Sequence, residues 1–156
     1  MKIYQGNLDG RNLKIAIIVS RFNNSITEKL LSGALEALKI NKVSENDIEI
    51  VKIPGAFETG VVIQKMSKSK KYDALVCLGA VIRGETAHFE YVASESIKKV
   101  AAAAYETGVP CALGILTTED TKQAMELAGT KQNNKGFEAA QVAIEMANLM
   151  RIIKTK

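Results

Sequence analysis

An α/β fold is predicted, in the flavodoxin-like three-layer arrangement with a four-stranded parallel sheet. Two observations carry it. Near-continuous apolar runs recur along the chain, as expected of strands covered on both faces. Stretches with helical periodicity separate them, and strands alternating with helices form parallel sheets through right-handed crossovers. With 156 residues, the expectation is a single domain spanning 1–156, large enough to bury one core.

Taken in order, the first strand is read at Lys14–Ser20. Ser25-Ile26-Thr27-Glu28 then has the spacing of a capping box, and Leu30, Leu31, Ala34, Leu35 and Leu38 repeat along one helical face. A second strand is read at Ile48–Ile53 and a short helix at Thr59–Ser67. The third strand, Ala74–Val81, leads to a long helix from Glu90 to Thr107, stopped by Gly108-Val109-Pro110. The fourth strand, Cys111–Leu116, precedes helices at Asp120–Ala128 and Lys135–Ile153, with Asp120 and Asn134 as N-caps. The head, residues 1–13, is a candidate additional strand at a sheet edge.

Composition narrows the function classes. The net charge of +4 is small and dispersed; Lys68, Lys70 and Lys71 form one cluster, and Arg151, Lys154 and Lys156 another. Neither makes the coherent basic face or the aromatic interleaving of a nucleic-acid binder. No apolar run approaches the roughly 20 residues of a membrane span, and no apolar secretory segment follows Lys2. The expectation is a cytoplasmic protein with neither nucleic-acid nor membrane partners. Cys77 and Cys111 lie inside apolar runs and read as buried thiols. One histidine and no cysteine cluster argue against a zinc site.

Ligands of open α/β sheets bind beyond the carboxyl ends of the strands, so the residues following each strand are the candidates for chemistry. Ser20-Arg21-Phe22-Asn23-Asn24 follows the first and Pro54-Gly55-Ala56-Phe57-Glu58 the second. Gly79-Ala80-Val81-Ile82-Arg83-Gly84-Glu85-Thr86-Ala87-His88-Phe89 follows the third. Phe22 and Phe57 are aromatics on which a flat ligand could stack, or packing under the loops. Glu58 is a rim carboxylate, or an acid favoured by the next helix dipole. Gly79 and Gly84 read as bracketing a turn. Glu85-Thr86 offers backbone N–H groups and a hydroxyl beside a helix start, suited to an anion. His88 follows, and histidine is the side-chain type that changes charge in the physiological range. An anion cradle beside a proton carrier suggests a cofactor-free enzyme acting on a phosphorylated small molecule.

These same segments resemble the signatures of the lumazine synthase family. Gly114-Ile115-Leu116-Thr117-Thr118 and Ala128-Gly129-Thr130-Lys131-Gln132-Asn133-Asn134-Lys135-Gly136, trailed by Glu138-Ala139-Ala140, extend the resemblance in the same order. It implies condensation of 5-amino-6-(ribitylamino)uracil with 3,4-dihydroxy-2-butanone 4-phosphate, without a cofactor or metal. It implies that Phe22 stacks on the pyrimidine, and that Ala56, Phe57 and Glu58 hold the ribityl chain. Ala80, Val81 and Ile82 would present backbone groups to the uracil edge. Glu85 and Thr86 would cradle the phosphate, His88 would move protons, and Lys135 would lie near the pocket. It also implies a homo-oligomer: a pentamer whose active sites lie between subunits. No insertion enlarges Gly129–Asn134, which resembles the members whose pentamers close into an icosahedral shell.

The chain departs from the family pattern at several positions. Leu127 stands where the family usually has a phosphate-binding arginine, Leu113 where phenylalanine is common, and Thr59-Gly60 where Ile-Pro is usual. Lys131 is a candidate substitute cation. Leu113 would still form an apolar wall. Leu127 keeps a second reading open, an assembly-competent homologue or engineered scaffold with weakened or lost turnover. A third reading, a flavodoxin-like nucleotide or flavin binder, lacks the Gly-x-Gly-x-x-Gly or Walker loop it would need.

Overall fold

A computed structural model describes residues 1–153. Lys154 and Lys156 of the basic tail lie outside the described residues. Four strands, β1 (Ile15–Ser20), β2 (Ile48–Ile53), β3 (Ala74–Ile82) and β4 (Cys111–Thr118), form one sheet in the order β2-β1-β3-β4. Every pairing is parallel, with Ile15 opposite Ile48 and Ala74, and Leu75 opposite Cys111. Five helices connect and cover them: α1 (Asn24–Ile40), α2 (Thr59–Lys68), α3 (His88–Thr107), α4 (Thr121–Leu127) and α5 (Lys135–Ile152).

The apolar runs form strands because both sheet faces are buried. Ile15, Ile17 and Val19 point into the layer of α1 and α5, where they meet Leu30, Leu38 and Ile144. Ala16 and Ile18 point into the layer beneath α2 and α3, with Ile63 and Val100. Each fully buried aliphatic side chain of this kind contributes about 1.5–3 kcal/mol relative to exposure. The three-layer α/β/α arrangement expected of the sequence is present.

Local signals succeed unevenly. Asp120 caps α4 by accepting from the Gln123 amide at 2.8 Å, and Asn134 caps α5 by accepting from the Phe137 amide at 3.0 Å. Gly108 takes the left-handed conformation at φ 73° that ends α3. The Ser25–Glu28 capping box does not form: α1 begins at Asn24, which puts Ser25 within the helix. The helix that was expected from Glu90 starts two residues earlier, at His88. Gly79 does not bracket a turn but lies inside β3, where an added Cβ would come within 3.1 Å of the Ser20 hydroxyl. Gly60 likewise has a packing role, since a Cβ there would meet the Lys99 stem at 2.9 Å.

The head forms no strand within the chain. Its polar groups are occupied by α5 instead: the Asn148 side-chain amide donates to the Asn7 and Asp9 carbonyls, each at 2.9 Å. Ile3 and Tyr4 remain exposed. Cys77 is fully buried, whereas Cys111, on the edge strand β4, is only partly so; both are free. Burial pushes the Cys77 thiol well up, with Cys111 adding to it, and pushes the Cys111 thiol up to about 11. Neutral thiols of this kind are poor nucleophiles.

Candidate active site at the carboxyl edge of the sheet

The strand order reverses direction between β1 and β3, and at such a switch point the loops part and leave a crevice. A pocket of about 740 Å³ opens there. Three strand ends and one helix build it. Phe22 and Asn23 come from the end of β1, and Pro54 to Glu58 from the end of β2. Ala80, Val81, Ile82, Gly84 and Thr86 come from β3 and its loop, and His88, Phe89, Tyr91 and Val92 from the first turns of α3.

The aromatic rings stand at the mouth. Phe22 is 71% exposed and Phe57 60%, so neither is packing beneath a loop. The Phe22 backbone is nevertheless fixed. The ladder between β1 and β2 continues past both strands, with the Arg21 amide donating to the Ile53 carbonyl at 2.8 Å and the Phe22 amide to Pro54 at 3.0 Å. Glu58 closes a short 3-10 turn, its amide donating to Gly55 at 3.2 Å.

His88 is the first residue of α3, a helix of 20 residues. Its amide is among those with no intrahelical acceptor and sits 3.4 Å from the Thr86 hydroxyl oxygen. Thr86 and His88 thus share the positive end of the α3 dipole, a setting that favours an anion. Arg83 braces this loop. It donates to Glu119 at 2.7 Å and to Glu90 at 3.2 Å, and its guanidinium lies 4.6 Å from the Phe89 ring centroid. Glu90 first, then Glu119, raise its pKa further, and the two tie Arg83 to α3 and to the end of β4.

Of the sequence candidates, Phe22, Ala56, Phe57, Glu58, Ala80, Val81, Ile82, Thr86 and His88 line this one pocket. Glu85 is in the same loop but outside the lining. Leu113, Leu127 and Lys135 are elsewhere in the chain. Leu113 is 47% exposed on the edge strand β4. Leu127 packs partly against the α1/α5 core and, with Lys135, lines a separate cavity of about 500 Å³. Lys135 there pairs with Glu138 at 2.8 Å. Lys131 pairs with Glu36 of α1 at 3.2 Å.

Sequence reasoning did not single out Asn23, Tyr91 or Val92. The helical spacing of His88, Tyr91 and Val92 was the available signal, since residues three and four apart share a face. Asn23 gave none, because its role depends on a partner 57 positions away: its side-chain amide donates to the Ala80 carbonyl at 2.8 Å. Among the described residues, no group of three or more His, Cys, Asp or Glu side chains gathers as metal ligands would.

A parallel sheet with aromatic, carboxylate and imidazole groups around one carboxyl-edge pocket defines an α/β/α protein with a candidate small-molecule site. The chain belongs to the 6,7-dimethyl-8-ribityllumazine synthase family, which matches residues 12–151. That membership ties the fold to riboflavin biosynthesis and to a family of transferases.

Proposed function

We propose that this chain, acting as one domain over 1–156, condenses 5-amino-6-(ribitylamino)uracil with 3,4-dihydroxy-2-butanone 4-phosphate. The observation that carries the reading is the gathering of Phe22, Glu58, Thr86 and His88 in one pocket. Their chemistry matches the parts of the two substrates. A heterocycle stacks on Phe22. Glu58 accepts hydrogen bonds from ribityl hydroxyls, with the Ala56 and Phe57 backbone beside it. Backbone groups of Val81 and Ile82 meet the uracil edge. The phosphate rests at the Glu85–Thr86 turn.

The reaction then divides into proton movements that one imidazole can serve. The pyrimidine amine attacks the ketone, water leaves, and an imine forms. Phosphate departs, and the ribitylated nitrogen closes the ring with loss of a second water. His88 takes and returns protons during these steps.

Leu113, Leu127 and Lys135 lie outside the pocket, which supports a site completed by another subunit's β4, α4 and α5. Exposed Val142, Met146 and Met150 on α5, beside the buried Ala140, Ala143 and Ala147, support a wide apolar interface. The assembly in this reading is a cytoplasmic pentamer closing into an icosahedral shell. Among the described residues, no helix is long and apolar enough to cross a membrane. Leu127 favours the second reading, a shell-forming homologue or scaffold with weakened turnover.

Binding tests the pocket directly. The ribityllumazine product, titrated into the protein, should lose fluorescence on stacking, and Phe22→Ala should weaken that binding. No quenching by the unmodified protein would contradict the reading.

A further inference from the structure

We propose that Asn23 is a positioning residue that sets the distance between the stacking ring of Phe22 and the β3 backbone, and so the width of the slot for the heterocycle. The inference deepens the condensation reading and rests on it. Asn23 starts α1 through its carbonyl, which accepts from the Ile26 amide at 2.9 Å and the Thr27 amide at 3.1 Å. A residue at that position ordinarily has extended backbone and uses its side chain to cap the helix. Asn23 does neither. Its backbone is left-handed, at φ 58° and ψ 46°, and its side chain makes no cap bond. The amide reaches instead across the pocket floor to the Ala80 carbonyl at 2.8 Å.

Asparagine tolerates the left-handed region better than most residues, but the conformation still has a cost that the surroundings must meet. What it achieves here is a cross-brace. Phe22 is anchored to the β2 side by its own amide on Pro54, and past the end of the β1–β3 pairing its neighbour Asn23 ties it to the β3 side. Because the ring is largely exposed, side-chain packing does not fix it. The backbone origin of the ring is therefore held between the Arg21 and Phe22 amide bonds to one wall and the Asn23 bond to the other, and Ala80 is the first of the three residues forming that opposite wall. Loosening the β3 bond widens the slot for a flat ring. It leaves the Thr86–His88 anion end untouched.

Asn23→Gly and Asn23→Asp test this. Both residues accept a left-handed backbone; glycine removes the amide, and aspartate replaces the donor by an acceptor facing a carbonyl. A lost neutral hydrogen bond corresponds to roughly 2- to 10-fold in an equilibrium constant. The expected result is a KM for the ribitylaminopyrimidine raised by about that factor, with kcat and the KM for the sugar phosphate within about 2-fold. Amide hydrogen exchange of residues 21–24 in the ligand-free protein should speed up in both variants. Unchanged exchange together with unchanged KM values would overturn the proposal. So would a uniform loss affecting both substrates equally along with Tm, which is the mark of a merely structural residue. A wild-type protein without turnover would count against the condensation reading, and the exchange comparison would then decide the brace by itself.

Discussion

Lys131 pairs with Glu36 of α1 at 3.2 Å, so the cation nearest to Leu127 in sequence already has an acidic partner. A hydrogen bond to a charged group is worth roughly 1.5–3 kcal/mol. Leu127→Arg should therefore lower the KM for the sugar phosphate by about 10- to 100-fold and leave that for the pyrimidine nearly unchanged. Lys131→Ala should change neither. Steady-state kinetics with each substrate varied in turn checks both. A sugar-phosphate KM that does not move in Leu127→Arg would mean that another group already serves the phosphate.

His88 opens on the pocket that also holds Phe22 and Glu58. As a proton carrier assisted by solvent, it should contribute up to about 10²-fold. His88→Ala should lower kcat by roughly that factor while leaving product binding intact. Unchanged kcat would remove His88 from the mechanism.

Asn134 joins three parts of the fold. It is only 3% exposed. Its amide donates to the Lys29 carbonyl of α1 at 3.0 Å and to Gly129 at 3.1 Å, while its oxygen caps α5. Loss of the cap and of two buried bonds should destabilise the protein by about 2–3 kcal/mol in Asn134→Ala. Denaturant unfolding under conditions that fix the oligomeric state measures it. A loss below about 0.5 kcal/mol would show that these bonds are replaced by water.

The sheet and its helices were legible because their signals are local. Ile15–Val19 and Ala74–Val81 are apolar on nearly successive residues, as strands covered on both faces are. The capping box misled because Ser25-x-x-Glu28 has the right spacing but begins two residues past the observed cap; the helix starts from the carbonyl of Asn23, whose side chain is committed to Ala80. The head, a candidate edge strand, forms none because the Asn7 and Asp9 carbonyls accept from Asn148 of α5. Half of the candidate site was legible because Phe22, Glu58 and His88 each follow a strand end on one edge. Leu113, Leu127 and Lys135 fall elsewhere, and no pattern within a single chain says what they face.

The proposed site, divided between copies of the chain, requires assembly for activity. Dilution or interface variants that produce monomers should abolish turnover, and light scattering with negative-stain microscopy should find closed shells of pentamers. Val142→Glu, placed on the exposed face of α5, should weaken the assembly. Free pentamers at every concentration and phosphate level would rule out the shell, and a stable, active monomer would rule out the shared site.

Lumazine formation and phosphate release, followed together in the purified protein with both substrates present, address the catalytic assignment most directly. One phosphate should appear for each lumazine, at a rate above the uncatalysed mixture and dependent on the ribitylaminopyrimidine. An assembled protein that yields neither product above that background would contradict the assignment and leave an assembly without the reaction.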